Sequence, residues 1–203
     1  MATEVSICNL ALSNLGDEAK VTSITSPNGD GSTQAKRCVT FYPIARDVVL
    51  SRHHWNFSTL RADLVESPLD PPDSWAYAYT IPSDCVNIIG IYPSGALQDA
   101  DPEDYIIENG VIYSNTEDAV IRYTRQITDT TKYPALVVVA IARLLAAYLA
   151  GPIIKGSEGM RVGQEQLKIF EQMDLPNAAA ADANNRQNNP YDDFTPSNLK
   201  ARA

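Results

Sequence analysis

The run from Ala135 to Ile154, ALVVVAIARLLAAYLAGPII, constrains this chain more than any other stretch. It is as long and apolar as a membrane span, yet Arg143 stands at its centre, where bilayer insertion costs about 2.5 to 3.5 kcal/mol. The run therefore reads as a buried helix in a soluble bundle. Pro134 suits a first helical position and Gly151-Pro152 a hard stop. Val137, Val138 and Val139 disfavour helix locally, but the length and the Leu/Ala periodicity that follows outweigh them. Val138, Ile141, Leu145 and Tyr148 mark one face. Ala140, Arg143, Ala147 and Ala150 mark another, narrow enough for a second helix to approach closely.

Three further helices are expected around it. Thr3 is a natural N-cap for a helix carrying Val5, Cys8, Leu12 and Leu15 at three- and four-residue steps, closed by Gly16. After the turn-rich SPNGDGS, Ser32 or Thr33 caps a second helix with Ala35, Cys38, Val39, Tyr42, Ala45, Val48 and Val49 as its apolar positions. Pro43 falls inside that pattern and predicts a kink or a short break. Ser157 caps a fourth helix through Met173, with Val162, Leu167, Phe170 and Met173 apolar.

Between the second and third helices the character changes. PLDPPDS marks a loop, and short β-rich pieces follow: Trp75 to Ile81, Val86 to Tyr92, Tyr105 to Ile107, Val111 to Tyr113 and Ala119 to Thr124. Asn109-Gly110 is a strong two-residue hairpin signal. The predicted fold class is α+β, mainly a bundle of about four helices with one small antiparallel sheet inserted and an extended C-terminal tail. Residues 1–57 and 132–175 would form the bundle, 58–131 the β-rich insertion and 176–203 the tail. The tail is too poor in large apolar residues to offset its ordering entropy alone. Its alanines could extend as helix, with Tyr191, Phe194 and Leu199 spaced like anchors for a partner, or the whole segment is a frayed terminus.

At 203 residues the chain suits one core plus an extension. The N-terminus lacks the basic and small-residue pattern of a secretory signal. Cys8, Cys38 and Cys85 are far apart with no CxxC spacing, as expected of a protein made in a reducing compartment. Residues 61–132 hold 13 acidic and 4 basic side chains, a balance of −9 that equals the net charge of the whole chain. Such a field repels nucleic acid, whose binding needs Lys and Arg at the phosphates, but suits a surface past which DNA slides.

No pattern of chemistry emerges. His53 and His54 are adjacent, so they point about 100° apart on a helix or to opposite faces of a strand, and do not share a metal. Gly29-x-Gly31 lacks the strand and the GK[ST] of a phosphate loop. Asp99, Asp101, Glu103 and Asp104 lack the glycine and glutamate of a calcium loop. With 25 acidic residues, a glycosidase-like carboxyl pair is the one catalytic arrangement left open. Nothing implies a cofactor.

Four pieces occur in a telling order: ALSNLGD closing the first helix, FYPIARDVVLSRHHWNF across the second, WAYAYTIPSDCVNIIGIY opening the sheet, and VIRYTRQITDTTKYPALVVVAIARLLAAYLAGPI leading into the third. Their order and spacing, over most of residues 5 to 155, resemble the phage tail tubular protein A family, the head-to-tail adaptors of short-tailed phages. The family's R-x-x-W-x-F motif is met by Arg52, Trp55 and Phe57, although His54 stands where the family often has Pro. The resemblance implies a non-enzymatic dodecameric ring in the virion, made in the bacterial host cytoplasm. It would lie between portal protein and tail nozzle protein, around a channel that DNA crosses without specific binding and without contact to a membrane. Arg52, Trp55, Phe57 and Trp75 are then structural anchors, and Tyr191, Phe194 and Leu199 the candidate portal-docking residues. A tail-associated hydrolase of envelope polysaccharide or peptidoglycan is the rival reading.

Overall fold

The computed structural model describes residues 2–72, 74–96 and 101–184. Its helices are α1 (Glu4–Asn14), α2 (Thr33–Ser51), α3 (Ala135–Ile154), α4 (Gly156–Ile169) and α5 (Leu175–Asn184). A π-helical turn, Phe170–Asp174, joins the last two into one helical run, so the bundle has four rods. Among the described residues seven strands separate α2 from α3, making an α+β fold with two small antiparallel sheets.

Local chemistry explains the first half. Thr3 Oγ1 accepts from the Ser6 amide at 3.1 Å while Ser6 Oγ accepts from the Thr3 amide at 2.8 Å, a reciprocal cap at the start of α1. Gly16 takes the left-handed conformation that ends it, φ 73°. Asn9 holds the returning loop by both of its amide atoms, to Val21 O at 2.9 Å and from Val21 N at 2.8 Å. Of the two expected caps of α2, Ser32 is the one used, accepting from the Ala35 amide at 3.1 Å.

Two prolines do not break their helices. Pro43 lies inside α2, which runs unbroken from Thr33 to Ser51. Its ring is on the exposed side, while Cys38, Tyr42, Ala45 and Val49 on the opposite face are buried, and that packing outweighs the lost hydrogen bond. Gly151-Pro152 likewise does not stop α3, which ends at Ile154, where Lys155 (φ 63°) and Gly156 (φ 64°) turn the chain. Pro134 is the N-cap, one residue before the first helical position.

The small-residue face of α3 receives α4. A Cβ added at Gly159 would lie 2.9 Å from the Ala150 carbonyl oxygen, and one at Gly163 would lie 3.1 Å from that of Ala147. The pairs Ala150/Gly159 and Ala147/Gly163 recede from the turn together, so the two helices form an antiparallel hairpin. Arg143 locks its middle, donating to Asp174 Oδ2 at 2.9 Å and to Gln166 Oε1 at 2.8 Å. Gln166 in turn reaches the Asn14 carbonyl at the end of α1.

The C-terminal part departs from expectation. Ser157 is inside α4, whose N-cap position is Lys155. Leu167 and Met173 are 38% and 56% exposed, and of the four apolar positions expected only Phe170 is fully buried. The π turn adds a residue to the helical repeat and so rotates the face that follows. Ala178 and Asp182 of α5 consequently point into the bundle, and the helical part extends to Asn184 instead of residue 175. Tyr191, Phe194 and Leu199 lie outside the described residues.

The insertion is a two-layer sandwich, not one sheet. One layer is β1 (Thr59–Asp63), β7 (Val120–Arg125) and β4 (Cys85–Tyr92) in the order β1-β7-β4. The other is β2 (Val65–Glu66), β3 (Tyr77–Thr80), β6 (Val111–Ser114) and β5 (Tyr105–Glu108) in the order β2-β3-β6-β5. Tyr79 and Ile112 from the second meet Ile91, Ile121 and Tyr123 from the first in a shared core. Asn109 (φ 49°) and Gly110 (φ 76°) form the predicted turn between β5 and β6, with Glu108 opposite Val111.

Substituting Gly159→Ala should cost about 1 to 3 kcal/mol in urea denaturation, because the new methyl meets backbone. Gly151→Ala, with nothing within 4 Å of its Cβ, should be neutral or stabilising by up to about 1 kcal/mol. The Ser32 hydroxyl, then the Thr22 and Ser32 amides, hold the Asp30 carboxyl well below the usual carboxylate range. A depressed folded value means the contribution is present above the unfolded pKa of about 4 and lost as pH falls below it. The stability gap between wild type and Asp30→Asn should therefore be constant from neutral pH to about pH 5 and shrink in more acid solution.

Candidate functional site

The bundle and the sandwich meet at Ser51-Arg52-His53-His54-Trp55-Asn56-Phe57. Helix α2 ends at Ser51 with Arg52 as its C-cap, and a single 3-10 turn, Asn56–Ser58, hands the chain to β1. Trp55 is fully buried and its indole donates to the Val49 carbonyl at 2.9 Å, folding the chain back on the helix it leaves. The Trp55 carbonyl accepts from the Ser58 amide at 3.1 Å and the Thr59 hydroxyl at 2.7 Å. These local bonds make the segment a tight turn. The two rings still meet, 5.9 Å between centroids, and Phe57 continues to Tyr133 at 6.1 Å, just before α3. The joint thus ties both chain crossings between bundle and sandwich to one aromatic row.

The flanking polar groups bind the joint to the C-terminal rod. Asp182 is 4% exposed, accepts from the Asn56 amide at 2.9 Å, and lies 3.6 Å from His53 Nε2. Asn56 Nδ2 donates to the Asp182 carbonyl at 2.8 Å, so one asparagine grips both backbone and side chain of α5. Arg52 reaches Glu171 at 3.1 Å, with both side chains about half exposed, where such pairs contribute about 0 to 1 kcal/mol. His54 is exposed on the other side, its pKa lowered by burial first, then by His53 and Arg122. The histidines do not converge, and no cluster suited to a metal ion occurs among the described residues. Trp75 lies away from the joint, half-buried over Ala78, Val111 and Tyr113.

Sequence reasoning missed Asp182 and Asn56. The available signal was a lone acid in NAAAADAN, where a solvent-facing helix would be expected to carry several charges.

The sandwich and the bundle each carry a further surface. Arg61 and Arg122, two of the three cations in the insertion, are directly opposite on β1 and β7 and line a cleft of about 260 Å³ with Asn56, Thr59 and Leu60. The Arg61 guanidinium lies 5.1 Å above the Tyr92 ring. At the far rim Asp101, Glu103, Asp104, Glu117 and Asp118 are all exposed, brought together by the pairing of Tyr105 with Ser114. The sandwich therefore carries positive charge where it meets the bundle and negative charge at its outer edge. On the bundle, an open apolar groove of about 310 Å³ runs over α3, floored by Ala147 and Gly151 and flanked by Tyr148, Met160, Gly163 and Leu167. Phe41 of α2 extends it, 6.3 Å from the Tyr148 ring.

Trp55→Ala should lower stability by about 3 to 5 kcal/mol in chemical denaturation. Asp182→Ala leaves the Asn56 amide without its acceptor and should cost about 1 to 3 kcal/mol. Hydrogen exchange should then speed up in residues 175–184 more than in α1 or α3.

No protein-family model and no curated protein matches the sequence.

Proposed function

We propose that this chain is a structural virion protein, a head-to-tail adaptor that forms a dodecameric ring between portal and tail nozzle. The observation that carries the reading is the ordered resemblance over residues 5 to 155, whose quoted pieces fall on α1, α2, β3 with β4, and β7 with α3. A protein that spans two coaxial assemblies needs two differently shaped faces held in fixed relation. A four-rod bundle and a β-sandwich joined by one aromatic row meet that need. The exposed carboxylates at the sandwich rim suit a surface that DNA passes, since they repel phosphate at every position along the duplex. The ring closes by repeating one heterologous contact between copies, which requires two different patches on each subunit. The protein acts without cofactor or catalytic step, inside the virion at the head-tail junction.

Static light scattering of the purified chain should give a monomer or a weak oligomer. Mixing it with portal assemblies from the same phage should give a co-sedimenting complex with as many copies of the chain as of portal. A stable dodecamer formed by the chain alone, or no association with portal, would contradict the proposal.

A further inference from the structure

We propose that the cleft between Arg61 and Arg122 binds a phosphate group, as the free ion or as a monoester. The inference goes beyond the adaptor reading and stands apart from it, because it needs no second copy and no portal.

The insertion has few cations to place. Residues 58–131 hold 13 carboxylate side chains and three arginines. One arginine, Arg125, lies 3.9 Å from Asp84. Arg122 is partly buried, yet among the described residues it makes no hydrogen bond or ion pair. It stands instead directly opposite Arg61 in the pairing of β1 with β7. Side chains so placed start about 4.5 to 5.5 Å apart, and like charges there destabilise a sheet. A region rich in carboxylates that pairs Arg122 with none of them, and faces it with a second cation, leaves a position where an anion removes the repulsion.

The surroundings suit such a ligand. Opposite residues, and residues two apart on a strand, share a face of the sheet, so Thr59, Arg61, Arg122 and Thr124 form one square. Three of the four line the cleft of about 260 Å³ with Asn56 and Leu60, and none of the lining residues is acidic. The Arg61 guanidinium is seated over the Tyr92 ring. Tyr92 lies back over β4, its hydroxyl 3.1 Å from where a Cβ on Gly90 would stand, and Gly90 is the residue opposite Arg122. Thr59 spends its hydroxyl proton on the Trp55 carbonyl, whereas the fully buried Thr124 hydroxyl has no partner.

The donor set selects the class of anion. A guanidinium carries five N–H donors in a planar fork, so a bond that Arg61 makes elsewhere leaves most of its fork available. A carboxylate has one charge and two oxygens, enough for one fork. A phosphate monoester carries three terminal oxygens and a charge of about −1.5 to −2 at pH 7, which matches two forks at once. A single arginine pair is not the extended row of Lys and Arg that a nucleic-acid backbone engages.

The test titrates inorganic phosphate into the full chain labelled with nitrogen-15, at neutral pH and at an ionic strength held constant with chloride. Saturable, one-to-one shifts are expected at the amides of residues 56–61 and 120–124 and at the Nε–H groups of Arg61 and Arg122. Acetate should bind about tenfold more weakly or worse. Arg122→Gln should weaken phosphate binding by about tenfold or more, while Arg125→Gln, which removes the cation paired with Asp84, should leave it unchanged. An amide spectrum of Arg122→Gln that matches wild type outside those two segments shows that the loss is not unfolding, and the wild-type shift map tests the site without any variant. Phenyl phosphate run alongside separates the two sources: tighter binding than inorganic phosphate assigns a monoester, equal or weaker binding the free ion. Shifts that fail to saturate, fall elsewhere, appear equally with acetate or survive Arg122→Gln would each overturn the inference. So would tighter binding of a single-stranded oligonucleotide that lacks terminal phosphates. A chain that assembles on portal but ignores phosphate would overturn this inference and leave the adaptor reading standing.

Discussion

The structure depends on how closely α4 can approach α3. Gly159 and Gly163 let backbone rest on the Ala150 and Ala147 carbonyls, distances at which no Cβ fits without displacement. Once the two axes are that near, Arg143 is confined between them, and its pairing with Asp174 and Gln166 fixes the register. An arginine half-buried in an apolar helix is costly unless its donors are matched. Here that cost specifies the alignment of the hairpin, because a one-residue slip would leave the guanidinium unmatched. Gln166 passes the alignment to α1, and the π turn passes it to α5.

The consequence appears at the other end of the molecule. With α5 in register, Asp182 arrives under the 3-10 turn after α2 and satisfies the Asn56 amide. The sandwich is thus held by three elements that are remote in sequence: the end of α2, the entry to α3 through Phe57 and Tyr133, and the C-terminal helix. The same joint holds the end of α5 beside the start of the sandwich, at Asn56.

Much of this was legible in the sequence where one residue type decides a local conformation. The Thr3 cap, the Gly16 stop, the Asn109-Gly110 turn and the division of α3 into a broad and a narrow face follow from short-range sterics and hydrogen bonds. The narrow face even implied a close partner, although not that two glycines supply it. The misreadings share a cause, which is tertiary packing overriding a local rule. Pro43 and Pro152 are read as breakers because each removes a helical hydrogen bond, but both helices are held by their buried faces. The alanine-rich stretch after Pro176 seemed unable to bury enough surface by itself, and it does not: one aspartate and one asparagine from residues 126 positions apart dock it. β1 went unseen because Thr-Leu-Arg-Ala-Asp shows no clean alternation of apolar and polar residues, and the split into two sheets depends on pairings of high sequence separation. At the candidate site, the tryptophan and phenylalanine were evident as an anchor, while the acid that completes it was hidden in low-complexity sequence.

The proposed role is positional: a bundle and a sandwich, locked at Trp55, would stand as one subunit of a ring at the head-tail junction. The most direct measurement is a cryo-electron microscopy reconstruction of the tailed particle that encodes this chain. The account predicts twelve copies of this fold around the DNA axis immediately below the portal, with the sandwich rim carboxylates nearest the DNA. Particles that lack the chain, or that carry it at the distal tail tip or on fibres, would contradict it.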